Sequence, residues 1–288
     1  MKLSPVLILG CVLALIPAWL GGATQAHEVI EHLPYGHINW TRGVLVVRGC
    51  DGQPVDFSES EIKTSPPTQT PAQNLLDSLT HVRMDAQHSV TDMMALNPGL
   101  QNKILQMVAA APIINQVRTA DGRTETAVQF QLTGGFAQLM LPGSIEQVRS
   151  IKPINGGGGT ESEIDPPRGM DSSASRDIYT GLIIDARGIG AKPCLVPMIV
   201  DEKHQDVYSP AFVSREFAVR QGVCGYARQV SDEVTPRVGP KPLLLKGLRT
   251  VNERPSDIVI SDADASRVRG ASPHLRFLRQ CRVVIILD

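Results

Sequence analysis

Along the apolar and polar pattern, residues 36–40 and 44–48 are two short strand-like runs parted by Thr41, Arg42 and Gly43, a spacing that predicts a hairpin. Pro66, Pro67 and Pro71 then exclude regular structure until Ala72. From there Ala72, Leu75, Leu76, Leu79 and Val82 recur at three- and four-residue intervals, the apolar stripe of a helix. A second helix is expected over residues 100–111, opened after Asn97 and Pro98 and stopped by Pro112. Residues 113–119 and 124–132 read as another hairpin around Asp121 and Gly122, an Asp-Gly pair of the kind tight hairpins favour.

The pattern changes at residues 150–177, where Gly156, Gly157, Gly158 and Gly159 are consecutive, Pro166 and Pro167 follow, and Ser172, Ser173 and Ser175 close the stretch. Such a segment cannot bury enough apolar surface to fold by itself and is expected to be a flexible linker. Beyond it, residues 179–186 form a strand with a nearly unbroken apolar run through Leu182, Ile183 and Ile184. Residues 195–200 and 206–208 suggest a hairpin around 202–204, Ser214 is a candidate N-cap for a helix reaching about Val230, and 243–248 returns to strand. Residues 258–260 lead into a Ser261-x-x-Asp264 capping box that starts a short helix, and Pro273 after Ser272 starts another. Val283, Val284, Ile285, Ile286 and Leu287 read as a buried central strand. The expected fold class is α+β: two small mixed α/β domains, 27–149 and 178–288, joined by the Gly/Ser/Pro-rich linker 150–177.

The first 26 residues change the compartment. Lys2, a mostly apolar run over 6–20 and the small residues Thr24 and Ala26 at the −3 and −1 positions have the form of a secretory signal peptide whose removal leaves His27 first. An uncleaved anchor is disfavoured by the shortness of the run and by Pro17, and lipidation at Cys11 rests on a loose match of Ile8-Leu9-Gly10-Cys11 to a lipobox. The expected location is therefore the periplasm or cell envelope. Of five cysteines, Cys50, Cys194, Cys224 and Cys281 remain after cleavage; an oxidising compartment permits two disulfides in any of three pairings, with Cys224 and Cys281 as candidates, and small buried hydrophobes are the equal alternative. No CxxC spacing occurs, so neither a zinc knuckle nor a dithiol redox pair is supported.

Charge narrows the partners. With 28 Lys plus Arg against 29 Asp plus Glu, the net charge is -1, and aromatics are only 4% of residues. Neither a general field for nucleic acid nor a stacking platform for bases is available, so no nucleic-acid partner is expected.

The order of motifs in the first half is "GHINWTRGVLVVRG", "AQNLLDSL", "AAAPIINQ", "DGRTETAVQFQLTG" and "LMLP". It resembles the periplasmic N-terminal domain of flagellar assembly protein T and the small outer-membrane lipoproteins related to it. The second half, with "YTGLIIDARGIG", "VSREFAVRQGVCGYA" and "FLRQCRVVIILD", resembles the C-terminal part of uncharacterised secreted bacterial proteins that carry the same first domain. The resemblance implies assembly and scaffolding in the envelope, with envelope or flagellar-type proteins as partners, outer-membrane association as one option, and no reaction.

Candidate chemistry is sparse. Gly188-Ile189-Gly190-Ala191-Lys192-Pro193 follows a strand as a phosphate-binding loop does, but Pro193 stands where the third glycine and a helix belong, so a tight structural turn is expected. There is no Gly-x-Ser-x-Gly elbow, Walker loop or His-Glu-x-x-His, and neither an enzyme nor a cofactor is expected. His27, His32 and His37 fall within eleven residues, and after cleavage the amine and imidazole of His27 together with a second imidazole offer a nitrogen set suited to Cu(II). Arg267, Arg269, Arg276 and Arg279, with His274 and Arg282, form a basic cluster able to dock an acidic partner, although Asp257, Asp262, Asp264 and Asp288 lie nearby to neutralise it. Asp262 and Asp264 fit a helix cap better than paired acid/base chemistry. The functional expectation is an exported envelope protein acting by protein–protein binding, as accessory or scaffold of a flagellar or other surface assembly; the alternative is a periplasmic copper-binding protein.

Overall fold

The computed structural model describes residues 27–51, 69–120, 122–145, 178–232, 234–270 and 272–288; the expected leader 1–26 and linker 150–177 lie outside them. The described residues form a mixed α+β fold in two parts. In the first, β1 (Ile30–Leu33), β2 (Gly36–Asn39), β3 (Val44–Asp51), β4 (Ile113–Arg118) and β5 (Thr124–Gln131) make one antiparallel sheet in the order β1-β2-β3-β5-β4. Both expected hairpins are present. Strand β1, which the sequence pattern leaves unassigned, pairs with β2.

The connection from β3 to β4 carries three helices with side-chain caps. Thr70 and Gln73 close a capping box on α1 (Pro71–Leu79), Ser89 and Asp92 another on α2 (Val90–Leu96), and Asn97 accepts from Leu100 N at the start of α3 (Pro98–Ala109). Helix α2 begins at an N-cap that periodicity alone did not reveal. Leu75, Leu79, Ile104 and Val108 are buried in one core with Leu45, Val47, Val128 and Phe130 of the sheet. A fourth helix, α4 (Gly135–Met140), follows β5 and buries Phe136, edge-on to Phe130.

The second part has two sheets. One is wholly parallel, in the order β10 (Pro242–Lys246), β6 (Gly181–Asp185), β13 (Val283–Ile286), β9 (Gly225–Ala227). Strands β6 and β13 sit in the middle of it and are buried on both faces, as their unbroken apolar runs require. The other sheet is ordered β11 (Arg249–Val251), β12 (Arg254–Val259), β7 (Met198–Val200), β8 (Asp206–Tyr208). Helices α5 (Arg215–Gln221), α6 (Thr235–Val238), α7 (Asp262–Arg269) and α8 (Ser272–Arg279) complete it. The helix expected from Ser214 to about Val230 stops at Gln221, because Gly222 takes a φ of 81° and the chain turns directly into β9. Ser261 caps α7 as expected, accepting from Asp264 N at 3.1 Å.

The two parts share a core. Trp40 of the first lies edge-on against Tyr226 of the second, ring centroids 6.0 Å apart. Leu195 N and Val196 N donate to the carbonyls of Arg83 and Met84, and Gly134 N donates to Val219 O. Arg215, at the start of α5, spreads its guanidinium over the carbonyls at the end of α4 and beyond: Gln138 at 2.7 Å, Pro142 at 3.1 Å, and Leu141 and Ile145 at 3.4 Å. Gln138 and Leu141 are among the acceptors a helix C-terminus leaves unpaired.

Candidate functional site

Strand β4 is the outer strand of its sheet, and all six of its residues are exposed, among them Ile113 (60%), Ile114 (50%) and Val117 (52%). In an antiparallel ladder alternate residues turn their N–H and C=O groups toward the partner strand. Thr119 N donates to Arg123 O, which places Val117 opposite Glu125 and Asn115 opposite Ala127 in that same inward phase. Gln116 and Arg118 therefore turn their backbone groups outward. Asn115 Oδ1 accepts from Gln116 N at 2.8 Å, so among the described residues an exposed side chain covers that donor.

At one end of the same sheet lies a cavity of about 470 Å³. The β1–β2 turn supplies Tyr35, β2 supplies His37, β3 supplies Arg48 and Cys50, α1 supplies Asn74, and the β4–β5 turn brings Arg123. Gly49 must be glycine, since a Cβ there would stand 2.4 Å from Pro71 N, where α1 crosses the strand.

The residues singled out in the sequence are dispersed. His32 and His37 are direct cross-strand partners with ring centroids 6.5 Å apart. His27 belongs elsewhere: its Nε2 lies 3.2 Å from Gln229 Nε2, and its carbonyl accepts from Arg228 N. His27, expected to hold copper with His32 or His37, thus has other neighbours, and among the described residues no cluster of three metal-ligating side chains occurs. Burial, then the neighbouring His32 and Arg48, hold the His37 imidazole below its ordinary pKa.

The basic cluster divides. Arg269 donates to Asp201 Oδ2 at 2.8 Å and to the carbonyls of Gln205 and Asp206, tying α7 to the β7–β8 hairpin. Burial works to raise the Asp201 pKa, but the bonds from Arg269 and from the N–H groups of Gln205 and Lys203 outweigh it and leave the carboxyl below its usual range. Arg267 is held by Asp264 at 3.0 Å, and His274 is buried. Of the expected docking set, Arg276 and Arg279 are exposed on α8 and Arg282 is half-buried, and none of the three guanidinium groups is paired among the described residues.

The cysteine expectation is corrected. Cys50, Cys194, Cys224 and Cys281 are free thiols, and Cys224 and Cys281 are not bridged. Cys224 and Cys281 are buried, which pushes their pKa values up to about 12 and about 11. The Gly188 loop is a structural turn, as expected: Gly188 and Gly190 have positive φ, and Gly188 N donates to the Asp288 carboxylate instead of facing an open site.

Residues 181–288, from β6 through β13, match the family described as Treponema pallidum Tp0624, second domain. The C-terminal part is therefore similar to that domain. No curated protein matches the chain. Among the described residues no helix is long and apolar enough to cross a membrane.

Proposed function

We propose that this chain is an exported envelope protein that works by binding other proteins, as an accessory or scaffold of a flagellar or other cell-surface assembly. The observation that carries the binding is β4, an uncovered strand edge with apolar side chains and a backbone donor shielded by one surface asparagine. Proteins ordinarily blunt such edges with charge, proline or a covering segment. A partner's extended segment adds as a sixth strand, its backbone bonding to Gln116 and Arg118 while its side chains pack on Ile113, Ile114 and Val117. Arg276 and Arg279 offer a second, electrostatic contact for an acidic partner.

Two substitutions separate this mode from general stickiness. Gln116→Pro removes an outward N–H and no β4–β5 ladder bond, and proline is tolerated on an edge strand. Asn115→Ala uncovers the same N–H. In capture of crosslinked partners from the periplasm, Gln116→Pro should lose the bands held by the unaltered protein and Asn115→Ala should strengthen them, with the fold retained by circular dichroism and only a small loss of thermal stability for Gln116→Pro, which also gives up the bond from Gln116 Nε2 to Thr126 Oγ1. Capture indifferent to both would refute strand addition. The copper reading retains one supporting feature, the facing His32–His37 pair. It requires Cu(II) uptake at neutral pH that His32→Gln abolishes and that reverses below the ~6.5 typical of imidazole.

A further inference from the structure

Strand β4 is unguarded where the other outer strands of the described sheets are not. Strands β8, β9 and β11 run for three residues each and β1 for four, while β10 opens on Pro242 and ends on Lys246. Shortness, proline and lysine are the usual guards of a sheet edge. Strand β4 has six residues, no proline and a single charge, Arg118, at its end. An edge in that state meets the identical edge on every other copy of the chain.

Two antiparallel copies of β4 related by a two-fold axis have few registers open to them. The outward backbone groups belong to Gln116 and Arg118. An axis at Ile114 or Asn115 sets Pro112, which has no N–H to give, against one of those two residues. An axis at Val117 makes the two Arg118 side chains diagonal neighbours on one face, about 7–8 Å apart, and an axis at Arg118 sets them face to face. With the axis at Gln116 these costs vanish. Gln116 then faces its own copy and exchanges both backbone bonds with it, Arg118 lays its aliphatic stem on the facing Ile114, and Asn115 faces Val117. The two arginines stand four residues apart along the strands, about 13 Å, beyond the reach of repulsion at physiological salt.

The geometry points to a homodimer in which β4 of two copies pairs antiparallel about Gln116, joining two five-stranded sheets into one of ten strands. This rests on β4 as the binding edge and names its partner as a second copy of the chain. The contact is isologous, so each bond and each apolar contact is made twice. It spans residues 114–118 on each side, against the ~20–30 residues a side of a standard interface, which puts it in the transient class, populated at roughly 10–100 μM protein.

Gln116 is exposed, so its side chain can be changed with the strand kept, at the loss of one bond to Thr126 Oγ1. Sedimentation equilibrium of the purified protein at low salt should show monomer and dimer exchanging in that concentration range. Gln116→Lys places two ammonium groups across the axis and should weaken the dimer about fivefold, the order of two unit charges in contact in water. Gln116→Glu should weaken it less, because Arg118 of the other copy lies diagonal to it. An equimolar mixture of the two variants should dimerise more tightly than either alone. That gain requires residue 116 to face itself, and it shows at the same time that both variants are folded. A protein still monomeric at about 100 μM, variants that associate like the unaltered chain, or a mixture no tighter than its components would each overturn the proposal. So would a Gln116→Glu variant that dimerises more tightly than the unaltered chain, since residue 116 then faces Arg118 and the axis lies at Val117. A monomer that captures foreign partners through β4 overturns the homodimer alone and leaves the scaffold reading standing. A Gln116-dependent dimer that captures none supports the homodimer and removes the scaffold reading.

Discussion

Replacing Tyr226 with phenylalanine removes one oxygen atom and leaves the ring, its burial and its edge-on contact with Trp40 in place. That oxygen donates to Cys194 O at 2.8 Å and accepts from Cys194 N at 3.0 Å, serving both backbone groups of a residue only 1% exposed. Without it two buried main-chain groups lose their partner, at about 1–3 kcal/mol each, so the substitution should cost about 3 kcal/mol. With a urea dependence of about 2 kcal/mol per molar, the midpoint falls by roughly 1.5 M. Trp40 is the only tryptophan after residue 26, and it lies at the seam between the two parts, so its fluorescence reports the seam while far-UV circular dichroism reports both parts. The shared core requires both signals to shift together with unchanged slope. A loss below about 1 kcal/mol would refute the assignment of Tyr226 as the partner of Cys194. A Trp40 transition that separates from the dichroism would show that the two parts unfold independently. Tyr208→Phe is the internal control: its hydroxyl donates once, to Val223 O at 2.6 Å, and its loss should cost about half as much.

Arg269→Ala breaks a pair in which Asp201 is buried and should destabilise by about 2 kcal/mol in urea titration, whereas Arg276→Ala, at an exposed position, should stay within about 0.5 kcal/mol. For His37 the folded-state pKa lies below the ordinary 6.5, so the unfolded chain takes up the proton first. Its contribution to stability is complete above that value and is lost as pH falls through it; His37→Gln should reduce the difference in urea midpoint measured above and below pH 6.5. Arg215→Ala uncovers the carbonyls at the end of α4, and a loss of about 1–2 kcal/mol is expected in the same assay.

Strands that bury both faces, such as β6 and β13, were readable because a continuous apolar run has few other uses in a short segment. Local chemistry was equally plain at Ser261, at Asn97 and in the Gly188 turn, where the side chain or φ that closes the structure lies within a few residues. The candidate sites were not. The exposure of β4 depends on its lying outside β5, and a pattern of Ile113, Ile114 and Val117 is the same in a covered strand. The cavity joins Tyr35, Asn74 and Arg123, residues brought together only by sheet order and the packing of α1. Charge density misled in the opposite sense, for Arg269 reads as a surface docking group until the carboxylate of Asp201, 68 positions earlier, is placed against it. Cysteine counting reached no further, since an even number only permits bridges, while Cys194, Cys224 and Cys281 are buried as small apolar groups.

The position of β13 sets an order of events for the growing chain. It lies between β6 and β9, yet it is the last of the four strands to be synthesised, and its pairing with β6 closes a loop of about a hundred residues. Until it arrives, β9 has no neighbour in that sheet and one flank of β6 is open. Long-range closure of this kind is slow, and the apolar faces of both strands stay accessible meanwhile. A chain emerging in stages, from a ribosome or through a membrane pore, therefore gathers this half in one late event, and any binder of unfolded segments has its longest opportunity at residues 181–227.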